Sequence, residues 1–137
     1  KFGVDGMDGI LGVENFDTSL AEGVMLLTPF AADSKDQATQ DFVKAYKAAF
    51  NDETPNQFAA DAYDGVKILA KLIESQKITG DMSASDICEK LKAGITAADF
   101  SYDGLTGTGM KWNANGEVSK SPKAVVIKDG NYAALDN

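Results

Sequence analysis

From Gly23 to Leu27 the chain runs Gly-Val-Met-Leu-Leu without a polar residue, and Thr28-Pro29 stops it. A short continuous apolar run of this kind fits a strand buried on both faces, as in a parallel sheet. Downstream the period lengthens. Phe42, Tyr46, Ala49 and Phe50 recur at helical spacing, and Ser34 followed by Gln37 reads as a capping box that opens their helix. Thr54-Pro55 repeats the start signal, a cap followed by proline at the first helical position. The helix it opens should run to about Gln76, with a wide apolar stripe of Ala59, Ala62, Tyr63, Val66, Leu69, Ala70 and Ile73. A third helix is expected over Ser83 to Gly94. Ser83 or Ser85 would cap it, Ile87, Cys88 and Leu91 would face inward, and Gly94 would end it.

The two ends of the chain have a different texture. Phe2 to Gly9 reads as a strand end running into a glycine-rich loop, and Glu14 to Glu22 holds one short helix capped by Asp17 or Thr18. After Phe100, glycines at 104, 107, 109 and 116 punctuate short strands around Leu105-Thr106 and Met110-Lys111-Trp112. Lys123 to Lys128 is a strand, Asp129-Gly130 a hairpin turn, and Asn131 to Leu135 the return strand. The order is strand, strand, helix, helix, helix, then small strands. That is an α/β pattern, but the even alternation of a doubly wound sheet is missing. The reading is of part of a larger fold.

Composition narrows the function. The 137 residues carry 13 basic and 21 acidic side chains, a formal charge of −8, and no basic cluster. Nucleic-acid binding through phosphate neutralisation is therefore not expected. There is no histidine, which removes the commonest general base and the commonest metal ligand. The single cysteine, Cys88, permits no internal disulfide and is expected to be a small core residue. As a nucleophile it would lack a histidine to activate it. No apolar run approaches the ~18 residues of a membrane helix. The first residue is Lys1 rather than methionine, read here as the mark of a removed upstream segment.

The candidate chemical motifs are few. Asn113-Ala114-Asn115-Gly116 imitates part of a calcium loop, but Lys111 and Pro122 would stand at ligand positions, so a turn is the better reading. Asp5 to Gly9 fails as a calcium loop because Met7 stands where an oxygen is needed. Leu105 to Gly109 is glycine-rich but leads into a strand, which is wrong for a phosphate loop. No cofactor or metal is expected. The pairs Asp61/Asp64 and Asp33/Asp36 could serve acid–base work on a sugar, but solvated helix faces, or acids at a helix N-terminus, are the favoured reading. Asp5 stands apart. It lies at the end of a strand beside glycines that let another group approach the backbone, and in open α/β sheets ligands bind at the carboxyl ends of strands. A carboxylate there suits an ammonium group; the alternative is a turn acid.

The order FGVDG, AEGVMLLTPFAAD, FVKAYKAAF, TPNQFAADAYDGVKILAKLIE and DGLTGTGMKWNANGEVSKSPKAVVIKDGNY resembles the C-terminal part of periplasmic branched-chain amino acid binding proteins. These are type I solute-binding proteins of ABC transporters, and the likeness runs from Phe2 to Tyr132. It implies a piece of a fold with two lobes, each a parallel sheet flanked by helices, closing on a ligand by hinge bending. Residues 1–29 and 120–137 would belong to the second lobe and 30–119 to the first. The crossings would fall near Thr28-Pro29-Phe30 and Ser119-Lys120-Ser121-Pro122.

The resemblance also implies site residues. Asp5, in Gly3-Val4-Asp5-Gly6, would hold the ligand's α-ammonium where many relatives have Glu, with Gly6 beside it. Phe58 would line the side-chain pocket, and Tyr63 and Asp64 match a tyrosine–acid pair. Asp8 is expected to be a solvated loop acid. The groups that bind the ligand carboxylate would lie upstream. The implied function is capture of a free amino acid, with no catalysis, for delivery to a membrane permease. The implied location is periplasmic or extracellular, with a lipid anchor on the precursor. Sheet edges left open by a partial fold would favour pairing with a second copy or with the missing N-terminal part. Two other readings compete: a sensor or receptor ectodomain of the same fold, and a glycosidase using Asp61 and Asp64.

Overall fold

A computed structural model describes residues 1–135; the side chain of Asp5 lies outside the described part. The chain divides into two compact units, residues 1–60 with 121–137 and residues 61–120.

The first unit is built on a four-stranded sheet: β1 (Phe2–Gly3), β2 (Met25–Thr28), β3 (Lys123–Lys128) and β4 (Asn131–Ala134), in that order. β1 and β2 are parallel, with Phe2 opposite Met25. β2 with β3 and β3 with β4 are antiparallel. The sheet is thus mixed, where a parallel one was expected. β2 is also buried on one face rather than two: Leu26 and Thr28 are buried, while Leu27 is 57% exposed. Pairing with the antiparallel β3 gives it the alternation of a strand with one covered face. The core beneath is Ala21, Val24, Leu26, Ala31, Val125 and Ile127, ringed by Met7, Ile10, Leu11, Phe16 and Tyr132. Gly3 lies so close that a Cβ there would collide with Leu26 Cδ2 and meet Met7 Sδ at 2.5 Å.

The β3–β4 hairpin falls where its sequence predicts. Asp129 and Gly130 have φ of 51° and 70°, the pair of positive angles that a two-residue turn needs to match strand twist. α1 (Gln37–Ala49) is capped by Asp36, which accepts from the Thr39 N–H at 2.9 Å. The expected Ser34 capping box is not the cap, because the Asp36 carboxylate stands directly before the first turn. Phe42, Tyr46 and Phe50 form the predicted aromatic face, continued by Phe30, whose ring meets Phe42 edge-on at 5.8 Å.

α2 (Gln57–Ser75) begins in the first unit and continues into the second. Its buried residues are Gln57, Ala60, Asp64, Ile68 and Leu72, a run at spacings of three and four. The predicted stripe lies elsewhere: Tyr63, Val66, Leu69 and Ile73 are all exposed. Polarity misleads here, since Gln57 and Asp64 are buried with hydrogen-bond partners. In the second unit α3 (Ala84–Ile95) is capped by Ser83, which accepts from the Asp86 N–H at 3.1 Å. Gly94 sits inside the last turn rather than ending the helix. It lets α3 approach α2, since a Cβ there would meet Gln76 Cγ at 2.9 Å and Leu72 Cδ2 at 3.0 Å. Cys88 is exposed, not a core residue; Ile87 and Leu91, four apart, take the inward face. The expected strands after Phe100 reduce to isolated bridges, Tyr102 with Met110 and Trp112 with Val118. Asn113–Gly116 is a turn, closed by Gly116 N–H donating to Asn113 O at 2.9 Å.

Candidate functional site

β1 ends in a short turn, Asp5–Met7, closed by Met7 N–H donating to Val4 O at 2.9 Å. Asp5 opens this turn. Gly6 is exposed, and a Cβ there would meet nothing within 4 Å. Phe58 stands in the first turn of α2 and is 50% exposed.

Asp8 joins these two segments. Its Oδ2 accepts from the Gln57 N–H at 2.7 Å, so a carboxylate 49 residues away satisfies a first-turn amide of α2. Asn56 Oδ1 accepts from the Ala59 N–H at 3.2 Å, giving the helix a second cap. The Gly9 N–H donates to the Tyr132 hydroxyl at 2.9 Å. Gly9 adopts φ 91°, a left-handed conformation suited to glycine, and packs close enough that a Cβ would meet Asn56 Nδ2 at 3.1 Å. Burial pushes the Asp8 carboxyl above its ordinary range, and the hydrogen bond from the Gln57 amide and the polar groups of Gly9 and Tyr132 offset this only in part. Burial likewise raises the Tyr132 phenol. Asp8 is therefore a half-buried tie between segments, not a solvated loop acid.

A cleft of about 750 Å³ opens beside this knot, lined by Leu11, Tyr46, Thr54, Asn56 and Tyr132 among others. Neither Gly6 nor Phe58 lines it.

In the second unit the Asp61/Asp64 pair separates into two structural roles. Asp64 is 3% exposed. It accepts from Leu105 N–H at 3.0 Å, Thr106 N–H at 2.9 Å and the Thr106 hydroxyl at 2.7 Å. Asp61 accepts from Lys120 Nζ at 2.7 Å. Asp64 is thus neither a solvated acid nor positioned as one half of a carboxylate pair. Among the described residues no group of three or more metal-ligating side chains converges.

The residues the sequence did not expose are Asp8, Tyr132 and the capping role of Asn56. Asn56 carried a usable signal, a cap-type residue one place before Gln57. Asp8 carried none, because its partner is distant in the chain.

The match to known proteins follows this architecture. The family model described as "Periplasmic binding protein" matches residues 9–131, and the chain belongs to that family. LivJ of Streptococcus pneumoniae, a branched-chain amino acid transporter substrate-binding protein solved with isoleucine, is similar at 24% identity and a TM-score of 0.75. The match covers 97% of this chain and 35% of LivJ. A solute-binding protein of an ABC transporter from R. palustris, solved with benzoate, matches at 20% identity and a TM-score of 0.75, over 98% of this chain and 34% of that one. The leucine-binding protein LivK of Thermotoga maritima matches at 21% identity and a TM-score of 0.68, over 98% and 36%. A search of curated proteins finds no match. The chain spans about a third of the length of these structures and corresponds to part of the type I periplasmic-binding-protein fold. The family consists of solute-binding proteins rather than enzymes. No helix among the described residues is long and apolar enough to cross a membrane.

Proposed function

We propose that this chain contributes to the solute-binding component of an ABC transporter, which captures a branched-chain or similar amino acid between two lobes and delivers it to a membrane permease. Residues 1–29 and 120–137 are assigned to one lobe and 30–119 to the other. These boundaries differ from the compact units, which count residues 30–60 with the first. Asp5 pairs with the ligand ammonium, Gly6 leaves room beside it, and Phe58 borders the ligand side chain. The protein acts in the periplasm or outside the cell, from a lipid-anchored precursor.

The observation that carries this reading is the Asp8–Gln57 hydrogen bond, which ties the turn bearing Asp5 and Gly6 to the helical turn bearing Phe58. Family membership and the isoleucine and leucine named for the similar structures support the ligand class. A zwitterion taken out of water needs a partner for each charge, and a carboxylate meets that need for an ammonium.

Calorimetric titration of the complete receptor with isoleucine, leucine and benzoate tests the proposal. Isoleucine or leucine should bind and benzoate should not, because benzoate has no ammonium group for Asp5. Binding of benzoate without either amino acid would refute the ammonium role.

A further inference from the structure

The geometry points to Asp8 as a positioning residue of the amino-acid site, which locks the Asp5–Gly6 turn to the first turn of α2 and so sets the spacing between Asp5 and Phe58. The inference rests on the site proposed above.

Four observations support it. The carboxylate of Asp8 is three residues past Asp5, and its Oδ2 lies 2.7 Å from the Gln57 amide, immediately before Phe58. At Gly6 itself the turn makes no contact, with no neighbour where a side chain would begin, so it is held from its ends, by Met7 against the core and by the loop at Asp8 and Gly9. On its other side the loop is held by Gly9 donating to Tyr132, so Asp8 and Gly9 fix it at adjacent positions to two different elements. Finally, the carboxylate is kept half-buried against the preference of its charge for water, and it tolerates this through the donors around it. A loop that needed only to be polar would leave this acid in solvent.

A consequence follows from the lobe boundaries. Asp8 and Gln57 fall on opposite sides of the assigned crossing at Thr28-Pro29-Phe30, so the same hydrogen bond would bridge the lobes at the edge of the ligand. Losing it should then release ligand faster more than it slows capture.

The test compares wild type with Asp8→Ala and Asp8→Asn in the complete receptor that contains this chain, using isoleucine and leucine as probes. Calorimetry and stopped-flow dissociation are combined with hydrogen exchange at the Gln57 amide. Asp8→Ala should weaken binding about tenfold, mainly through dissociation, and speed exchange at Gln57. Asp8→Asn keeps the size and one acceptor oxygen, and should recover most of the affinity. If Asp8→Ala does not fold, Asp8→Glu carries the test, since it keeps the charge but lengthens the arm by one methylene. Its affinity should fall with little change in Tm. A lower Tm with Kd unchanged within twofold, in either variant, overturns the proposal and leaves Asp8 a purely structural cap. A complete wild-type receptor that binds neither amino acid sinks the proposed function and this inference with it. That failure is distinct, because it appears before any substitution is made.

Discussion

Two aspartates, one in each compact unit, tie together segments that are far apart in sequence, and they do so differently. Asp64 is 3% exposed and accepts three hydrogen bonds from Leu105 and Thr106. The loop is moulded around it: a Cβ on Gly104 would lie 2.5 Å from its Oδ2. Asp8 is only half withdrawn from water, and burial raises its carboxyl despite its donors. Asp64 satisfies a closed piece of structure and is withdrawn from solvent. Asp8 holds two segments whose neighbouring residues, Gly6 and Phe58, stay open to solvent. A buried acid is therefore not a sign of chemistry in itself; what matters is whether exposed groups stand beside it.

The largest effect expected from this contrast is at Asp64. Asp64→Ala should cost about 3 kcal/mol or more of stability, because two buried N–H groups and a hydroxyl lose their acceptor together. Urea unfolding measures it, and a loss under about 1 kcal/mol would mean that water replaces the carboxylate. Tyr132→Phe should cost less, about 1 kcal/mol, since it removes a half-buried hydroxyl but leaves the Asp8 reach to Gln57 intact.

The smallest effect is in pH dependence, where the sign separates two acids. The raised carboxyl of Asp8 binds its proton more readily in the folded protein than in the unfolded chain. Its contribution to stability therefore falls as pH rises from the ordinary carboxylate value of 3.8 through the higher folded one, and recovers on acidification. Asp36 runs the other way. The Thr39 amide holds its carboxyl below the ordinary value, so its contribution is present above 3.8 and is lost as pH falls through the lower folded value. In paired unfolding curves taken from neutral pH to about pH 3, wild type should gain on Asp8→Asn and lose on Asp36→Asn. Parallel trends for the two pairs would contradict the assignment.

The sequence was legible where structure is local. Lys123–Lys128, the Asp129-Gly130 turn and the return strand rest on neighbours in the chain, and they fold as read. So do the Ser83 cap and the aromatic face of α1. The misreadings of Asp8 and Asp64 share a cause. Asp8 meets Gln57 across 49 residues, and Asp64 meets Leu105 and Thr106 across 41 and 42. Nothing in a helical period announces such partners. The same gap misplaced the buried face of α2. Gln57 and Asp64 enter the core because distant partners satisfy them, while Tyr63, Val66, Leu69 and Ile73 stay exposed. Among the described residues the second unit forms only isolated bridges, no sheet that could receive that stripe. Of the candidate site, Asp5, Gly6 and Phe58 come from the resemblance alone; the hydrogen bond that ties their two segments was not legible in the sequence.

The most direct test of amino-acid capture is the affinity of isoleucine for the complete receptor, wild type and Asp5→Ala, measured side by side by calorimetry. Asp5→Ala should lose about 3–5 kcal/mol of binding, because a buried ammonium would be left without its carboxylate. A loss smaller than about tenfold, or about 1.4 kcal/mol, would contradict the role given to Asp5.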